Sequence, residues 1–239
     1  MIKLFNKKSA ISWPNYFSKA LEQASDDRLI RFYQQGVISP ETPLSEVEFV
    51  ALDFETTGLD PQKEDIVSIG LVPFTLSRIF LRQKKHWIVN PNRPLEENSV
   101  VIHGITHSDI VDAPDLTRVL EEVLEALAGK IVVVHYKKIE RYFLDKALKD
   151  RIGEGILFPL VDTLEIETAI QHKQVKGIIN QLKGKKPESV RLGSSRKRYG
   201  LPAYPPHHAL TDAIATAELL QAQVAHHYSP DIPIKELWG

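Results

Sequence analysis

The chain has 239 residues, 43% of them hydrophobic and 26% charged, which is close to average globular usage and enough to bury a full core. It contains no cysteine, so disulfide staples and thiolate metal sites are excluded, and any bound metal has to be held by oxygen and imidazole donors, which suit a hard cation such as Mg²⁺ or Mn²⁺. The net charge of −1 argues neither for nor against a polyanionic partner; with no run of about 18 apolar residues and no signal-type stretch, a cytoplasmic protein without membrane contact is expected.

Between Trp13 and Gln35, the residues Tyr16, Phe17, Ala20, Leu21, Leu29, Ile30 and Phe32 recur at helical spacing, and Gly36, Pro40 and Pro43 then stop the pattern. This predicts one or two amphipathic helices forming an N-terminal helical extension over residues 1–45. A packing role is favoured over an oligomer contact or a docking helix, because the apolar residues need cover. Val47 to Asp53 is a β-branched and aliphatic run ending on acids and then Thr56-Thr57-Gly58, the profile of a buried strand that meets a loop. Two further strands are predicted at Ile66–Phe74 and Ile79–Val89, giving an antiparallel meander.

After Pro91 and Pro94 a helix begins at Asp115, its N-cap, and closes at Gly129. Ile131-Val132-Val133-Val134 reads as a parallel-type strand, followed by a helix from about Lys137 to Lys149, a fifth strand near Ile156–Val161 and a helix from Asp162. From Lys173 to Arg198 nine basic residues face the single acid Glu188, either a phosphate-attracting stripe or a solvated loop. A last helix spans about His208 to Ala225. The fold class is α/β, a mixed sheet flanked by helices over residues 46–228, and residues 229–239, with Pro230 and Pro233, read as a C-terminal tail.

Asp53 and Glu55 share one face of a strand by alternation, and two buried like charges ask for a cation. The pair alone is equally compatible with exposed loop acids that cap the next element. A second acidic feature lies in His207-His208-Ala209-Leu210-Thr211-Asp212-Ala213, at a helix start after Pro205-Pro206. Ala209, Ala213 and Ala217 recur every four residues, so that face can press closely on a neighbour, with Asp212 on or beside it. A histidine at the helix start is placed to exchange protons with water, although surface histidines at helix starts are common. Glu140 lies just inside the helix after the Ile131–Val134 strand, either as a further member of the cluster or as an exposed helical acid.

Taken together these segments resemble the DEDDh (DnaQ-like) 3′ to 5′ exonuclease family, which includes the proofreading epsilon subunit of bacterial DNA polymerase III. Phe49 to Asp60 is similar to that family's first motif position for position. The third motif, His-x-Ala-x-x-Asp-Ala, falls on His207 to Ala213 and selects His207 over His208. Ile102 to Thr106 and Asp162-Thr163-Leu164 are also similar. The second motif, usually His-Asn-x-x-Phe-Asp, reads His135-Tyr136-Lys137-Lys138-Ile139-Glu140 here, so the carboxylate is kept on a longer arm, and Tyr136 and Lys137 replace small or amide residues near the expected path of a substrate strand.

The resemblance covers about residues 46–225 and not the N-terminal arm. It implies a ribonuclease H-like fold with a mixed five-stranded sheet, and release of nucleoside monophosphates from the 3′ end of single-stranded nucleic acid, DNA first. It also implies two divalent cations, Mg²⁺ or Mn²⁺: Asp53 bridges both, Glu55 and Asp212 hold the one serving the attacking water, and Glu140 acts on the second through water. His207 takes the proton from that water. Thr56, Thr57, Leu59 and His103 are implied to contact the 3′ nucleotide, and a polymerase or another replication or repair protein is the implied partner. The alternatives are an RNA or short-oligonucleotide exonuclease of the same fold, and a nucleic-acid-binding module weakened in catalysis by the altered second motif.

Overall fold

The strand that carries the first acidic pair, β1 (Phe49–Thr56), is covered on both faces, which is why its residues are apolar on either side of the alternation. In the computed structural model, which describes residues 11–91, 104–175 and 187–239, it is central to a mixed sheet. Its antiparallel neighbour β2 (Ile66–Thr75) pairs from Phe49 opposite Phe74 to Thr56 opposite Ile66, with an irregularity between Glu55 and Thr56.

The strand expected over Ile79–Val89 is broken into β3 (Arg78–Ile79), a 3₁₀ turn at Leu81–Gln83 and β4 (Lys85–Ile88), both on the free edge of β2. Pro73 supplies the reason. Its carbonyl accepts from the Phe80 N–H at 2.9 Å, so its missing N–H is on that same edge, and the ladder cannot run through. Among the described residues the sheet therefore has six strands and not five.

On the other side of β1 the pairing is parallel. β5 (Ile131–Val134) sets Ile131 opposite Phe49 and Val133 opposite Ala51, and β6 (Leu160–Asp162) sets Asp162 opposite Val134. β6 starts later than the predicted Ile156, since Pro159 has no N–H for a ladder. Described helices beyond these strands are α3 (His107–Val111), α4 (Leu116–Leu127), α5 (Lys138–Ile152), α6 (Thr163–Val175), α7 (Leu192–Arg198) and α8 (Ala209–His227). Asp115 caps α4 by accepting from the Thr117 N–H at 2.8 Å, and α5 ends on Gly153 with φ +77°.

The N-terminal arm forms α1 (Trp13–Gln23) and α2 (Asp27–Gln34), whose Trp13, Phe17, Phe32 and Tyr33 are buried in the main core, with Phe32 reaching Phe158 at 6.1 Å between ring centres. Each such side chain contributes roughly 1.5–3 kcal/mol by burial. The segment read as a C-terminal tail is packed instead: Ile234, Leu237 and Trp238 are buried, Trp238 bridges to Val161, and the Leu44 N–H donates to the Ile232 carbonyl. Pro230 and Pro233, read as signs of a tail, sit at the turn that returns these apolar residues to the core. No helix among the described residues is long and apolar enough to cross a membrane.

Candidate active site

Helix α8 lies across β1 and β2 at the level of the acidic pair. Gly70 of β2 faces Asp53 in the register, and a Cβ at Gly70 would sit 2.2 Å from the backbone of Ala209. The absent side chain is what lets the start of α8 touch the sheet. Ala209, Ala213 and Ala217 are fully buried, as their spacing predicts, and they hold the helix at that distance. Asp212, in the first turn, is thereby brought to Asp53 and Glu55: one carboxylate oxygen from each of the three lies within 4.8 Å of the others.

Glu140, on the first turn of α5, is 2% exposed, and its Oε2 has no hydrogen-bond partner among the described residues. It stands close enough to Asp53 and Glu55 for its charge to act on both. Burial, followed by the charges of Glu140, Asp212 and Glu55, pushes the Asp53 carboxyl well above the usual carboxylate range. Burial and then Asp212 raise Glu55 to about 7. Burial raises Asp212 too, opposed by the hydrogen bond it accepts from the His207 N–H at 2.9 Å. Burial also raises Glu140, with Asp162 and Glu55 adding to the shift. Three of these acids, Asp53, Glu55 and Asp212, bring oxygen donors together and fit a hard divalent cation; Glu140 lies outside that 4.8 Å group.

His207 is exposed at the mouth of this cluster with φ +65°, held by its backbone through Asp212. His208 is differently employed. It caps α8 by accepting from the Thr211 N–H at 3.4 Å, and its ring lies 4.7 Å from that of His86, which bonds the Ser68 hydroxyl at 2.8 Å. Of the residues expected at the 3′ nucleotide, Thr56 ends β1, and Thr57 and Leu59 lie in the loop that follows it. Leu59 is 84% exposed, the Thr56 hydroxyl donates to the Gly58 carbonyl at 2.6 Å, and the buried Thr57 hydroxyl is engaged by Glu64 and the Asp65 N–H. His103 lies outside the described residues.

Some residues of consequence escape the sequence reading. Asp162, quoted only as part of a similar segment, accepts the N–H groups of Tyr136 and Lys137 at 3.0 and 2.9 Å and so ties β6 to the start of α5. His86 and Ser68 lie on strands that carry no motif. The basic stripe is corrected in part: Arg196 is buried, donating to the Ala215 and Pro202 carbonyls at 2.7 and 2.9 Å and to Glu218 at 2.6 Å, while Arg198 pairs with the buried Glu167 at 2.9 Å. Both guanidinium groups are bound within the fold and are not presented to a phosphate.

The family model described as Exonuclease, RNase_T, matches residues 50–220. The chain belongs to the Exonuclease family. Its curated relatives include the "DNA polymerase III PolC-type" of Thermotoga maritima, 31% identical over 182 residues, and the "DNA polymerase III subunit epsilon-like protein" of Rhodobacter capsulatus, 31% identical over 179. These matches take in 76% and 74% of this Exonuclease-family chain, but only 12% and 24% of the relatives' own lengths. Among solved structures, the nuclease domain of 3′hExo, described as a DEDDh family member bound to rAMP, is 15% identical with a TM-score of 0.59, over 77% of this chain and 94% of that one. That likeness is one of fold, and it bears out the ribonuclease H-like expectation.

Proposed function

We propose that the protein is a metal-dependent 3′ to 5′ exonuclease that removes nucleoside 5′-monophosphates from the 3′ end of single-stranded nucleic acid, with DNA preferred to RNA. The observation that carries this reading is the meeting of Asp53, Glu55 and Asp212 within 4.8 Å, beside the buried Glu140. The PolC-type and epsilon-like names of the relatives support DNA as the substrate, a replication or repair partner and a cytoplasmic setting.

In this mechanism Asp53, Glu55 and Asp212 would hold one divalent cation, and Glu140 would serve a second beside Asp53. When bound, the cations supply positive charge against the developing negative charge at phosphorus and favour ionisation of the attacking water. The chain's own residues do the rest. His207 takes the water proton on its ring, and the grip of Asp212 on its backbone N–H fixes where that ring starts. The water oxygen bonds to phosphorus, the bond from phosphorus to the penultimate O3′ breaks, and that oxygen leaves with a proton from solvent. Leu59, exposed in the loop after β1, would meet the terminal base.

The test is to incubate 5′-labelled DNA and RNA single strands of one sequence with the protein in Mg²⁺, in Mn²⁺ and in chelator. Stepwise shortening from the 3′ end, faster on DNA and absent in chelator, is expected. Faster shortening of RNA would move the substrate to the alternative class, and tight binding without cleavage in either metal would favour a binding module.

A further inference from the structure

Tyr136 has φ +96°, in the left-handed half of conformational space, where a bulky side chain is a real outlier. Glycine or asparagine holds such a backbone at less cost. The conformation is imposed from outside. The two Asp162 oxygens accept the N–H groups of Tyr136 and Lys137, and the Tyr136 carbonyl accepts from the Ile139 N–H at 3.1 Å. On the Tyr136 side all of these bonds use the backbone, so none of them calls for a tyrosine side chain. The fold does not explain the tyrosine.

Its side chain is 42% exposed, and among the described residues its hydroxyl and ring have no hydrogen-bond or ring partner. Its place in the fold is specific. β5 runs parallel to β1 with Val133 opposite Ala51, and continuing that register sets His135 level with Asp53, so Tyr136 leaves the sheet one residue past Asp53, at the level of the carboxylate cluster. Glu140 follows it by four residues. Neighbouring Lys137 is salt-bridged to Glu165 at 2.7 Å, which leaves the tyrosine as the group of this turn suited to contact a base.

Strained backbone persists where the surroundings over-determine it, and it clusters at sites of function. We infer that Tyr136 is a specificity-determining residue whose ring stacks on an unpaired base of the bound strand next to the scissile nucleotide. The inference rests on the proposed nuclease reading for the path of the strand. Stacking on an aromatic face is indifferent to base identity, so the ring would select unpaired over paired ends and not one sequence.

The experiment compares wild type, Tyr136→Phe and Tyr136→Asn by thermal melting, by strand binding in Ca²⁺, and by KM and kcat on a single strand in Mg²⁺. Strands carrying one abasic position are used beside the intact strand. Tyr136→Asn is expected to melt about 2–4 °C higher from release of strain, and to bind about tenfold to a hundredfold more weakly. The weakening should appear in KM more than in kcat. Tyr136→Phe should bind as wild type does. One abasic position should weaken wild type by the same factor and leave Tyr136→Asn unaffected.

Wild-type affinity in Tyr136→Asn, a loss in Tyr136→Phe equal to that in Tyr136→Asn, or abasic strands weakening both proteins alike would overturn the stacking role. If wild type binds the strand without cutting it, the nuclease reading fails while the binding comparison still decides on Tyr136; if it neither binds nor cuts, both fail.

Discussion

Glu140 holds a carboxylate at 2% exposure with one oxygen unpartnered, beside two other acids whose charges it feels. A buried acid in that state destabilises the metal-free protein. Glu140→Gln is therefore expected to raise the melting temperature of metal-free protein while lowering the single-turnover rate. Glu140→Asp restores the side chain usual at this motif but withdraws the carboxylate by about 1 Å, which can cost on the order of 10²-fold in rate. A rate equal to wild type in Glu140→Asp would mean that reach is not what matters there. His207→Ala should lose roughly 10² to 10⁴-fold in rate with Mn²⁺ affinity held, as for a general base; parallel loss of both would make the residue structural. At this scale the acids were legible because carboxylates at the end of an apolar strand need a reason. Asp162 was not: its role is to hold two backbone N–H groups of another segment, and side-chain-to-backbone bonds leave no periodic trace in sequence.

The alanine stripe of α8 could be read from its four-residue spacing, but not the strand position that receives it. That position is Gly70, and it is found only once the β1–β2 register sets it opposite Asp53. Gly70→Ala would place a methyl 2.2 Å from the Ala209 backbone, which cannot swing aside as a side chain can. The helix has to move, and Asp212 with it. The expected outcome is about 1–3 kcal/mol lost in urea unfolding, together with a fall in turnover larger than that stability loss explains. Wild-type stability and rate in this variant would show that the contact does not position Asp212. The broken third strand and the packed C-terminal segment were misread for a related reason. Pro73 is passed over inside the expected Ile66–Phe74 strand and Pro233 is weighed as local punctuation, whereas what each does depends on which edge or surface its neighbours face.

For the molecule as a whole, the charge cluster couples stability to pH and to metal. Glu55 titrates near 7 in the fold against an ordinary 4.5, so its contribution is complete below about pH 4.5 and is lost as pH rises through 7. The loss is on the order of 3 kcal/mol. Asp53, Asp212 and Glu140 are shifted upward as well and act in the same sense. Asp26 and Asp115, lowered by their hydrogen bonds and by the arginines beside them, act in the opposite sense at lower pH. Metal-free protein should thus lose stability between about pH 5 and 8, and the rise in melting temperature on adding Mn²⁺ should be larger at pH 8 than at pH 5; an equal rise at both would place the ion elsewhere. The measurement that bears most directly on the central claim is single-turnover cleavage of a 5′-labelled single strand in Mn²⁺ by wild type and by Asp53→Asn, each first shown to be folded. The account predicts 3′-end shortening by wild type and none by the variant, and an unchanged rate in Asp53→Asn would contradict it.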